Sequence, residues 1–125
     1  MALTTTFTTN PVKTIIVRET ASTNTANNNI TGGPAYIHTV EIDNASFGTD
    51  VYVKLYDAAS ATVGTTEAEL VLFVKANAKR SFQFFPGLQF ATGVTMATTT
   101  TAGQAGTTAP GDPPEVWLVL SETAS

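Results

Sequence analysis

The chain contains no cysteine. That removes a disulfide framework, a thiolate nucleophile and sulfur ligation of a metal, and leaves packing alone to hold the fold. Charge is scarce as well: 13% of residues are Asp, Glu, Lys or Arg, about half the usual share for a soluble domain. With a net charge of −4 and Lys79-Arg80 as the one adjacent basic pair, the chain lacks the clustered cations that a nucleic-acid footprint needs to neutralise phosphates. No apolar run approaches the ~20 residues of a membrane-spanning helix. The opening Met1-Ala2-Leu3-Thr4-Thr5-Thr6-Phe7 has neither a basic nor an apolar signal region, so the sequence predicts a soluble protein without an export signal. Helical periodicity is absent, and so are the long-period repeats of solenoids and propellers.

What is present is a 125-residue chain, 42% hydrophobic, whose polarity comes mainly from Thr, Asn and Ser. One domain of that length buries about two-thirds of the surface its unfolded chain exposes. A surface with so few like charges protects poorly against association, which predicts a homo-oligomer or a subunit bound to a larger assembly.

The clearest pattern is Asp50-Val51-Tyr52-Val53-Lys54-Leu55-Tyr56-Asp57. Val51, Val53 and Leu55 alternate with Tyr52, Lys54 and Tyr56, which predicts a central antiparallel strand with one apolar and one wet face. Further strands are expected over 12–18, 35–43, 70–74, 81–85, 88–99 and 115–120. In the second of these, the alternation places Tyr36, His38, Val40 and Ile42 on one face and Ile37, Thr39 and Glu41 on the other. The continuous Leu70-Val71-Leu72-Phe73-Val74 reads as buried on both sides, Pro86-Gly87 as a turn that closes a strand, and Gly93 as a bulge or kink. Long polar loops occupy 20–34 and 98–114. About seven strands without a helix predict an all-β antiparallel β-sandwich, jelly-roll-like, over residues 12–125, preceded by an extended N-terminal arm over 1–11.

Candidate chemistry is thin. His38 has no carboxylate at a ligand spacing, and reads as a partly buried or surface residue. Asp50 and Asp57 bracket the central strand and lie roughly 23 Å apart at strand rise. That is well beyond the ~9.5 Å at which two carboxylates still work as an acid/base pair. Glu67 and Glu69 read as solvated gatekeepers at a sheet edge, and no calcium-loop spacing surrounds them. No Gly-x-Ser-x-Gly turn and no phosphate cradle occur, so neither an enzyme nor a cofactor or metal site is expected. Tyr52 and Tyr56 beside Lys54 form an exposed stripe that reads first as cross-strand packing and second as a stacking surface for a sugar or a partner protein, and Trp117, in the apolar Glu115–Leu120 run, is expected buried.

The runs Val40–Asn44, Val51–Ala59, Val63–Thr66 and Leu70–Leu72, with Phe82–Gly93 and Gly103–Thr108, resemble small virion proteins of tailed bacteriophages, particularly those infecting cyanobacteria. The resemblance spans about residues 35–121. It implies a β-sandwich decoration, cement or adaptor subunit on the virion, assembled in the host cytoplasm, often trimeric, with the major capsid protein or another virion protein as partner and no catalytic residues. On that reading the contacts fall on the arm, through Leu3 and Phe7, on the long loops, through Asn28 and Thr100, and on Tyr52 and Tyr56. Two alternatives stand beside capsid decoration: a neck or tail subunit, and a carbohydrate- or receptor-binding module using Tyr52, Tyr56 or Trp117 as a stacking platform.

Overall fold

The computed structural model describes residues 3–9, 11 and 13–123. Met1, Ala2 and Asn10 of the expected arm, Val12 at the expected start of the first strand, and Ala124 and Ser125 lie outside the described residues. Eight strands follow in chain order: β1 (Leu3–Phe7), β2 (Thr14–Glu19), β3 (Ala35–Asp43), β4 (Val51–Asp57), β5 (Leu70–Val74), β6 (Lys79–Phe90), β7 (Val94–Thr99) and β8 (Glu115–Ser121). They form two antiparallel sheets, one of five strands in the order β1-β2-β8-β3-β6 and one of three in the order β5-β4-β7. The expected β-sandwich is therefore present, with β4 at the centre of the smaller sheet, and the described residues form eight strands where the sequence pattern showed about seven.

The pairing is nested. β2 pairs with β8, β3 with β6 and β4 with β5, while Asn27, in the loop after β2, bridges Met96 of β7. Counting the 23–30 segment as a rudimentary strand, the first element of the roll pairs with the last, the second with the second last, and so inward to the β4–β5 hairpin. That is the winding of a jelly roll. Hydrogen bonds Asn27 N to Met96 O (2.8 Å), Ile30 N to Val94 O (2.8 Å) and Thr98 N to Thr23 O (2.8 Å) seal the β7 edge against further pairing.

Inward-facing Ile15, Val17, Ile37, Val40, Ile42, Val116, Leu118 and Leu120 of the larger sheet meet Val51, Val53, Leu55, Leu72, Val74, Val94 and Met96 of the smaller one in a single core. Two carboxylates pin the ends of β4. Asp50 Oδ1 accepts from Ala76 N (2.8 Å), and Asp57 accepts from Ala91 N (3.1 Å), Thr92 N (2.8 Å) and Gly93 N (3.4 Å). Gly93 thus sits in the turn between β6 and β7, where the 88–99 stretch that the sequence reads as one strand changes sheets.

Three local readings are corrected. A bulge at His38 shifts the register of β3, so Ile37, Val40 and Ile42 all face the core, while Tyr36, His38 and Glu41 face outward. Pro86-Gly87 does not end a strand. β6 runs through it, and Phe84–Gly87 loop out opposite His38, which an edge strand tolerates because Pro86 owes no ladder bond there. Gly87 carries φ 130°, and a Cβ there would stand 2.9 Å from His38 Cε1. Finally, β5 is an edge strand buried on one side only: Leu72 and Val74 point inward and Val71 and Phe73 outward.

If Asp57 holds the 91–93 turn, Asp57→Ala should lower the unfolding free energy by about 1.5–3 kcal/mol in urea titration. Asp57→Asn, which keeps one acceptor oxygen, should cost less. Equal midpoints for all three proteins would show that the turn holds without the carboxylate.

Candidate binding surface

The outer face of the small sheet is not the wet face that alternation predicts. Lys54, Tyr56, Thr95, Ala97 and Thr99 are all fully buried there, because loops fold over them as a third layer. Lys54 Nζ donates to the carbonyls of Gly106 (2.6 Å) and Gln104 (3.3 Å). The Gln104 side chain accepts from Ala68 N (2.8 Å) and donates to Thr66 O, which ties the 100–110 loop to the 58–69 loop. Asn24 Nδ2 donates to Thr107 O (2.9 Å), bringing in the third loop. Gly64, at φ 90°, leaves room for the Thr107 methyl and could carry no side chain. Burial without an anionic partner pushes the Lys54 ammonium below its usual 10.5, and burial alone raises the Tyr56 phenol, whose hydroxyl has no hydrogen-bond partner.

Of the six residues singled out in the sequence, the structure brings none into a shared pocket. Leu3 and Phe7 stand exposed on β1, at 39% and 54%. The expected arm is an edge strand at this point, paired Leu3 to Glu19 through Phe7 to Ile15. Asn28 is exposed with its Oδ1 accepting from Ala61 N (3.1 Å), and Thr100 is half-buried, its N–H donating to Thr108 O (2.9 Å). Tyr52 is half-buried and tilts against Phe73, with ring centroids 5.3 Å apart. Tyr56, expected in an exposed stripe, is sealed under the loops and offers no ring to a partner.

The outer face of the large sheet carries Trp117, which is half-buried where burial was expected. Arg18 lies 5.0 Å over its ring and contacts Glu115 Oε2 at 3.2 Å, and Trp117 Nε1 donates to Glu115 Oε1. Arg18 first, and then the indole N–H, hold the Glu115 carboxyl below its ordinary range. On the same face His38 Nε2 and Ser121 Oγ share a hydrogen bond (2.8 Å). Among the described residues no group of three or more His, Asp or Glu could hold a metal ion, and no helix is long and apolar enough to cross a membrane.

Apart from Ile16 on the outer face of β2, the exposed large apolar side chains among the described residues lie at strand edges. β1 closes one end of the large sheet with Leu3 and Phe7. At the other end lie β6 and the adjacent β5, joined where Arg80 Nη1 donates to Phe73 O (3.1 Å). Phe85, 98% exposed, borders a depression of about 330 Å³ there, lined by Gln83, Phe84, Gly87 and Leu88. Alternation alone could not disclose Val71, Phe73 or Phe85 as exposed, since it does not say which strands end a sheet. The density of phenylalanine in Phe82-Gln83-Phe84-Phe85 was the one available signal.

Lys54→Met retains the stem and removes the buried charge. The folded state disfavours the Lys54 ammonium, so wild type carries that penalty fully below the depressed value and loses it as pH rises toward 10.5. Wild type should therefore gain stability relative to Lys54→Met between pH 7 and pH 10 in urea unfolding, a comparison from which Tyr56 cancels. A difference that stays flat with pH would mean that Lys54 is not desolvated. Comparison with protein-family models, with curated proteins and with solved structures finds no match for this chain.

Proposed function

We propose that the chain is a structural subunit of a tailed-phage virion, a decoration or cement protein that binds the major capsid protein at the capsid surface and stabilises the shell. The observation that carries this reading is the β1 edge. It presents Leu3 and Phe7 beside an unpaired ladder of backbone groups, and between them only threonines. An uncharged edge with two apolar anchors fits addition to another protein's surface, where main-chain hydrogen bonds supply affinity and the anchors supply register. The sequence resemblance supplies the phage context, and the jelly-roll winding accords with it while being shared by lectin-like domains. Binding that favours the assembled shell stabilises it by mass action, and needs no catalytic or cofactor site.

A neck or tail position would use the same edge. Of the three aromatics the carbohydrate-binding alternative would use, Tyr56 is buried, and Tyr52 and Trp117 stand half-buried on opposite outer faces of the sandwich, so no two of them form a common platform.

Purified protein mixed with undecorated capsids from the genome that encodes the chain should add a regular lattice of density in electron micrographs. Phe7→Ser, a change at an exposed position, should leave the melting temperature in place and weaken capsid binding by about tenfold or more, as expected for an interface anchor. Density at a single vertex would move the protein to the neck or tail, and no density at all would end the capsid reading.

A further inference from the structure

The β5 edge has a self-complementary sequence. Val71 and Phe73 of β5 point outward, exposed at 41% and 38%, and Glu69 and Lys75, which flank the strand on either side, are exposed as well. Neither Glu69 nor Lys75 takes part in an ion pair among the described residues, whereas Lys13, Arg18 and Lys79 each meet a glutamate. β5 pairs with β4 on one side only. Its Phe73 carbonyl turns away from β4 far enough to receive Arg80, and a carbonyl oxygen retains a second lone pair for another donor.

We propose that β5 is a homodimerisation edge, at which two copies of this chain pair their β5 strands antiparallel about a two-fold axis through Leu72. In that register Leu72 faces its own copy, Val71 meets the partner's Phe73, and Glu69 meets the partner's Lys75, with every contact made twice. The outer face then carries two apolar cross-strand pairs flanked by two opposite-charge pairs, and the three-stranded sheets join into one of six strands. A slip by two residues one way leaves both charges without an opposite partner, and a slip the other way sets Lys75 against the partner's Glu67 but separates Val71 from Phe73, so charge and apolar pairs are satisfied together only in the proposed register. A two-fold isologous interface is the commonest closed arrangement of identical subunits. It departs from the trimer that the sequence resemblance implies. The inference does not rest on capsid binding, which uses β1 at the far end of the large sheet.

Charge reversal tests it. In sedimentation velocity over a concentration series, the wild-type chain should shift from monomer to dimer. Glu69→Lys alone places two lysines opposite two lysines, and Lys75→Glu alone does the same with glutamates. Each exchanges two attractions for two repulsions, and should weaken dimerisation by about tenfold or more. The double variant Glu69→Lys with Lys75→Glu should recover it, and an equimolar mixture of the two single variants should form a heterodimer that neither forms alone. Both substituted positions are solvent-exposed, so circular dichroism should be unchanged, and so should melting at concentrations where every variant is monomeric. A wild-type chain that stays monomeric at high concentration, one that forms trimers, or single reversals that leave the dimer intact would each overturn the proposal.

Discussion

Lys54 is the residue on which the arrangement of the loops depends. A primary ammonium sealed inside a protein is stable only if it is hydrogen-bonded, and here its partners are the carbonyls of Gln104 and Gly106. Those two carbonyls hold the 100–110 loop down on the small sheet. The loop in turn fixes Gln104 against the 58–69 loop and Thr107 against Asn24. What would be a two-layer sandwich with a wet flank becomes a structure in which β4 and β7 are covered on both faces. The long Thr- and Gly-rich segments thereby serve as structural cladding for the small sheet.

Much of the fold could be read from the residues. Strict alternation located β4 and its central position, and β3, β5 and β8 lie within a residue or so of their expected limits. The failures share a cause. Period-two reasoning assigns side chains to faces, but burial depends on what lies above a face, which is decided by residues far away in sequence. Tyr56 and Lys54 looked solvent-facing because nothing local to β4 announces the Gln104–Gly106 cover. Val71 and Phe73 looked buried because an apolar run does not reveal that its strand ends a sheet. His38 shifted the faces of β3 because a single-residue bulge leaves no compositional trace.

The surfaces were legible only in part. Phe7 and Leu3 were noticed as isolated apolar residues among threonines, and they are exposed, but in a strand paired to β2. Glu67 and Glu69 mark a sheet edge in the sequence, but that Glu69 and Lys75 stay outside any ion pair is a property of tertiary structure. The two edges differ in kind. β1 carries no charge, whereas β5 is flanked by Glu69 before it and Lys75 after it, charges that match their own reversal.

The nested pairing also governs how the chain can reach this structure. β4 and β5 are joined by a short loop from Asp57 to Leu70, while the ladder between β2 and β8 unites Thr14 with Ser121, almost the whole length of the chain. Loop closure costs entropy that grows with the logarithm of the segment closed, so among the nested pairs the β4–β5 hairpin closes at least cost, while β1 and β2 close a shorter segment outside the nest. Each later pair, β3 with β6 and then β2 with β8, closes only the increment left by the one before it. The chain is in effect a zipper with its starter at the middle, and a protein of such high contact order folds slowly for its size. Substitutions near the 57–70 turn therefore bear on the rate at which the molecule forms, and those near its termini on how long it lasts once formed.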